Sequence, residues 1–93
     1  MHAVLIEVDV AGVDRDRGSA ALREQIVPAT KALPGFQSGT WLTGGPDSKG
    51  LSLTLWDTED NARAMADRFG PGSSPTASAS VVRCEVREVA ASA

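Results

Sequence analysis

The chain has 93 residues, 42% hydrophobic and 23% charged, with a formal net charge of −3 and a pI near 4.9. That length makes one small domain, residues 1–93, of ordinary globular composition. Nine basic residues scattered among twelve acidic ones form no basic stripe, which excludes nucleic acid as a main ligand.

No run of about 18 apolar residues occurs, so no membrane span is expected. The first residues enter a strand pattern directly, without a basic segment and an apolar one in the manner of a signal peptide. The single cysteine, Cys84, excludes an internal disulfide. Together these features predict a cytoplasmic protein. A domain this small buries a limited share of its surface, so a partner subunit would stabilise it.

Residues 2–10 read as a first strand, with Val4, Ile6, Val8 and Val10 on one face and Ala3, Leu5, Glu7 and Asp9 on the other. A turn at 11–13 follows, and Asp14 or Asp16 can cap the next element. The spacing predicts a helix over 15–33, with Leu22, Ile26, Ala29 and Leu33 on one stripe. Gly18 costs about 1 kcal/mol relative to Ala in a helix interior, which makes Ser19 the alternative start. Pro28 removes a backbone donor and crowds the carbonyl of Glu24, which predicts a kink. Pro34 and Gly35 end the helix. Residues 36–43 read as a second strand, with Phe36, Ser38, Thr40 and Leu42 opposite Gln37, Gly39, Trp41 and Thr43.

A connection rich in turn formers spans 44–50. In the third strand Leu51, Leu53 and Leu55 alternate with Ser52, Thr54 and Trp56. Thr58 stands where an N-cap belongs, with Glu59 and Asp60 in the first turn and Ala62, Met65, Ala66 and Phe69 at helical spacing. Residues 70–80 are small and carry two prolines, the composition of a mobile loop. Residues 81–89 make the last strand, with Val82, Cys84 and Val86 opposite Arg83, Glu85 and Arg87, and 90–93 form a fraying tail.

The order strand, helix, strand, strand, helix, strand predicts an α+β, ferredoxin-like βαββαβ fold, with a four-stranded antiparallel sheet and two helices on one face. The continuous aliphatic sets, Val4/Ile6/Val8, Leu51/Leu53/Leu55 and Val82/Cys84/Val86, are expected beneath the helices, joined by Phe36. The open face would then hold Leu5, Glu7, Trp41, Ser52, Thr54, Trp56, Arg83 and Arg87. Two tryptophans on an open sheet face predict a homodimer packed over it.

Pro34-Gly35-Phe36 leading to Trp41-Leu42, the helix entry Trp56-Asp57-Thr58-Glu59-Asp60 and the closing Val86-Arg87-Glu88-Val89 resemble the dimeric α/β-barrel superfamily, nearest its antibiotic-biosynthesis-monooxygenase-like (ABM-like) group. The resemblance implies a homodimer whose two sheets share a barrel, with a pocket in each subunit. It also implies an activity such as cofactor-independent monooxygenation of a small planar hydrophobic substrate. The haem-degrading members carry a strand-to-helix tryptophan, which would fall on Trp56, with an axial histidine on a helix and an asparagine on the first strand. Here the one histidine is His2 and Asn61 lies on the second helix, so no cofactor is expected.

Candidate substrate-binding residues are Trp56, Trp41, Glu7, Thr54 and Arg83. Each tryptophan serves either as a wall that stacks on a planar ligand or as an interface anchor. His2 is either a general base or a solvated side chain. Glu7 and Asp9 form either an acid/base pair or ion pairs with Arg83 and Arg87. Cys84 among valines reads as a small buried hydrophobe. Arg63 falls beside Asp60 and Asp67 on a solvated helix face. No phosphate loop, dinucleotide fingerprint, zinc spacing or Ser-His-Asp set occurs. The rival to the enzyme is a non-catalytic dimeric module that binds a hydrophobic metabolite or serves as a scaffold.

Overall fold

The computed structural model describes residues 1–10, 15–43, 49–70 and 80–93. The elements run β1 (His2–Asp9), α1 (Arg15–Ala21), a π-helical turn (Leu22–Ile26), α2 (Val27–Lys31), β2 (Phe36–Leu42), β3 (Lys49–Trp56), α3 (Glu59–Arg68) and β4 (Ser80–Glu88). The expected turn at 11–13, the Asp14 cap and most of the connections at 44–50 and 70–80 lie outside the described residues.

The strands form one antiparallel sheet in the order β2-β3-β1-β4. This α+β arrangement is compatible with a ferredoxin-like fold. Helix α3 packs across β1, β3 and β4. Its start follows the local chemistry: Thr58 has extended backbone and its hydroxyl accepts from the Asn61 N–H at 3.1 Å. Glu59 and Asp60 in the first turn complement the positive end of the helix dipole.

The kink expected at Pro28 takes the form of the π-helical turn just before it. Pro28 offers no N–H to the Glu24 carbonyl, and its ring crowds that oxygen in a regular α register. The turn widens instead, and the Val27 N–H reaches back five residues to the Leu22 carbonyl. Pro28 then lies in the first turn of α2, where its missing donor does no harm. Beyond it the buried Thr30 hydroxyl donates to the Ile26 carbonyl at 2.7 Å.

The core consists of Val4, Ile6, Trp56, Ala62, Met65 and Val81, with Val8, Leu33, Phe36, Ala66, Phe69, Cys84 and Val86 packed against it. This supports the expected placing of Val4, Ile6, Phe36 and Met65. It reverses the faces of β3. Trp56, Thr54 and Ser52 are buried beneath the helices, whereas Leu53 is 45% exposed. The reason is register. Val4 pairs with Thr54 and Ile6 with Ser52, and directly paired residues share a face. Leu51, Leu53 and Leu55 therefore join Leu5 on the open face.

Two irregularities move side chains further. One in β2 between Phe36 and Ser38 puts Gly39 opposite Thr54 and Trp41 opposite Ser52. Trp41 thereby shares the helix-covered face with Phe36, contrary to simple alternation. Another, between Glu7 and Val8 where β1 meets β4, brings Val81 into the core and leaves Val82 43% exposed. The open face is thus leucine-rich and holds neither tryptophan.

Candidate functional site

The expected site residues do not come together. Trp56 is fully buried, its indole N–H donating to the Thr54 hydroxyl at 2.9 Å. The Phe36 and Trp56 rings meet edge to face, with centroids 5.6 Å apart and planes at 80°. Thr54, also fully buried, is occupied by that bond within the core. Glu7 and Arg83 sit opposite one another on the open face. Neither Trp56 nor Thr54 is in contact with solvent, and the face of Glu7 and Arg83 is the one turned away from the helices.

The charged groups also sort differently from expectation. Glu85 takes both arginines of β4, Arg83 at 3.7 Å and Arg87 at 3.1 Å, and Asp9 pairs with Lys49 at 3.8 Å. Arg63 pairs with Glu59 one turn back at 3.0 Å, rather than with Asp60 or Asp67. These are surface pairs of small energetic worth. His2 is half-buried in β1 beside Trp56, and its Nδ1 is buried without a hydrogen-bond partner. Burial pushes the Cys84 thiol up, with Asp67 and Glu85 adding to the shift. Its Sγ lies 3.8 Å from the Ala66 carbonyl oxygen. Among the described residues no group of three or more His, Cys, Asp or Glu side chains is placed to hold a metal ion.

Of the expected site residues, Trp41 lines a cleft formed by described residues. A cleft of about 300 Å³ opens between the first helical stretch and β2. Ser19, Leu22, Arg23 and Val27 form one wall; Gly39, Thr40, Trp41 and Thr43 form the other. The sequence builds each wall for a physical reason. On β2, the Trp41 indole lies back over Gly39. A Cβ at Gly39 would stand 2.7 Å from the benzo ring, so glycine there sets the ring's position. On the helix, Ser19, Leu22 and Arg23 follow the usual helical spacing. The π-helical turn then brings Val27, not Ile26, into line behind Leu22.

The cleft combines an indole and two aliphatic side chains with the hydroxyl residues Ser19 and Thr43 and one guanidinium, while the register turns the Thr40 side chain to the open face. That is the composition of a small-molecule site, a mostly apolar hollow with a few polar groups to orient the occupant. Arg23, Ser19, Gly39 and Thr43 were not singled out by sequence reasoning. The available signal was Arg23 itself, a cation whose helical neighbours at three and four residues are Ala20, Ser19, Ile26 and Val27, none of them acidic.

No helix among the described residues is long and apolar enough to cross a membrane. No family model matches the chain, and comparison with curated proteins likewise gives no match.

Proposed function

We propose that this protein binds a small planar hydrophobic molecule in the Trp41 cleft and works as a homodimer. The cleft carries the reading. It sets an aromatic face against aliphatic side chains, with hydroxyls at hand, at a volume near the lower end of ligand pockets. Among the described lining residues none is His, Cys, Asp or Glu, so the geometry favours binding over acid/base chemistry.

The partner in this reading is a second copy, packed over the open sheet face as in dimeric α/β barrels. Leu5, Leu51, Leu53 and Leu55 share that face, and the Arg83–Glu85–Arg87 set stands at its β4 edge. An aliphatic centre with a charged rim suits a subunit interface. The strand order β2-β3-β1-β4 is compatible with a ferredoxin-like domain, the fold that the resemblance to ABM-like proteins implies. A cytoplasmic location accords with the lone cysteine.

That resemblance also favours a second reading, cofactor-independent monooxygenation of the bound aromatic by molecular oxygen. The two readings separate in one experiment. Native mass spectrometry of the purified protein reports subunit number and any retained ligand. Oxygen uptake is then measured on anthrone and quinol substrates. A dimer that holds an aromatic ligand without oxygen uptake supports the binding module. Uptake abolished in Trp41→Ala supports the oxygenase. A monomer with no affinity for aromatics refutes both.

A further inference from the structure

We infer that the ligand of this cleft is an aromatic carboxylate, held by stacking on Trp41 and by charge on Arg23. The inference rests on the binding reading above and names the chemical class of its ligand.

Arg23 carries the argument. It lines the cleft, and it makes no ion pair among the described residues. Arg63 pairs with Glu59, Arg83 and Arg87 with Glu85, and Lys49 with Asp9; Lys31 and Arg68 share Arg23's lack of an ion pair, but Arg23 is the one of the three that lines the cleft. Arg23 is exposed at the cleft, and no carboxylate stands among the described lining residues to neutralise it. Coulomb attraction there favours an anion.

The backbone accounts for how the lining residues come together. Arg23 sits within the π-helical turn Leu22–Ile26 that Pro28 imposes. The turn lets Leu22, Arg23 and Val27 line the cleft together. The planar guanidinium fork matches a carboxylate with two parallel N–H···O bonds. Trp41 supplies the aromatic face, and the Thr43 and Ser19 hydroxyls can donate to the remaining lone pairs. A ring bearing a carboxylate finds in this lining a partner for each of its two parts. A neutral polycycle would leave Arg23 unmatched.

The test uses 2-naphthoate and its neutral isostere 2-naphthamide as probes, in low-salt buffer at pH 7, followed by ¹H–¹⁵N NMR titration of the full chain. The two indole N–H resonances are separate reporters, Trp41 in the cleft and Trp56 in the core. The expected result is a shift of the Trp41 signal with the Trp56 signal still, and naphthoate binding roughly tenfold tighter than the amide, the scale of a charge-assisted hydrogen bond. Arg23→Gln should remove that preference while Arg68→Gln on α3 keeps it. Equal affinities, or a preference that survives Arg23→Gln, overturn the carboxylate inference and leave the hydrophobic-ligand reading standing. No shift of Trp41 with either probe overturns both.

Discussion

Replacing Trp56 tests whether this indole is core or ligand wall. In Trp56→Ala the removed side chain is fully buried and closes the core against Phe36. Transfer and cavity terms for such a truncation come to about 3–5 kcal/mol. The Thr54 hydroxyl, itself fully buried, loses the donor that reaches it at 2.9 Å, which adds about 1 kcal/mol. A loss of about 4–6 kcal/mol is a large part of the roughly 5–14 kcal/mol expected for a domain this size. Trp56→Phe keeps a ring against Phe36 but lacks the N–H, and should cost about 1–2 kcal/mol. Urea unfolding followed by far-ultraviolet circular dichroism measures both, because tryptophan emission would change with the substitution itself. The midpoint should fall steeply for Ala and modestly for Phe, with similar slopes. A Trp56→Ala protein that stays within about 1 kcal/mol of wild type but loses affinity for naphthoate would refute the placement.

Gly35 has φ of +81°, and a Cβ there would collide with the Asp57 and Asn61 side chains, which hydrogen-bond to each other at 2.8 Å. Gly35→Ala should therefore cost about 1–2 kcal/mol and lower Tm by roughly 5–15 °C in calorimetry, and an unchanged Tm would contradict it. Leu53→Lys places a charge in the middle of the open face and should turn the proposed dimer into a monomer in sedimentation velocity; a persistent dimer would exclude that face as the interface. For Cys84 the folded-state pKa is raised, so the folded chain holds the thiol proton more tightly than the unfolded chain does. Its contribution to stability is full below the unfolded thiol's pKa and fades as pH rises through the folded value. Iodoacetamide should label Cys84 more slowly in native protein than in urea at pH 8, and equal rates would refute this.

Much of the fold was legible because local chemistry and periodicity agreed. Thr58 announced α3, Pro34-Gly35 closed the first helical stretch, and alternation marked all four strands. The faces were less legible. Alternation says that a strand has two faces but not which one is inside, and on β3 both were apolar enough to qualify. Three leucines looked like the interior, yet pairing with Val4 and Ile6 put Thr54 and Ser52 there instead. The irregularity after Phe36 moved Trp41 to the face that alternation denied it, and one extra residue leaves no trace in composition. The cleft was hidden for the same reason. Its walls meet only if Trp41 faces the helix and the π-helical turn brings Val27 into line.

The cleft and the core are built from different residues. Ser19, Arg23, Thr40, Trp41 and Thr43 belong to no part of the buried cluster, and β2 is an edge strand. Changes at the cleft's exposed members, Arg23, Thr40 and Thr43, usually alter stability by less than about 0.5 kcal/mol. If the cleft binds a ligand as proposed, its specificity can drift, or be redesigned, with little stability penalty. Selection for a new ligand would act on a rim of substitutable side chains, while Val4, Ile6, Trp56 and Met65 stay constant.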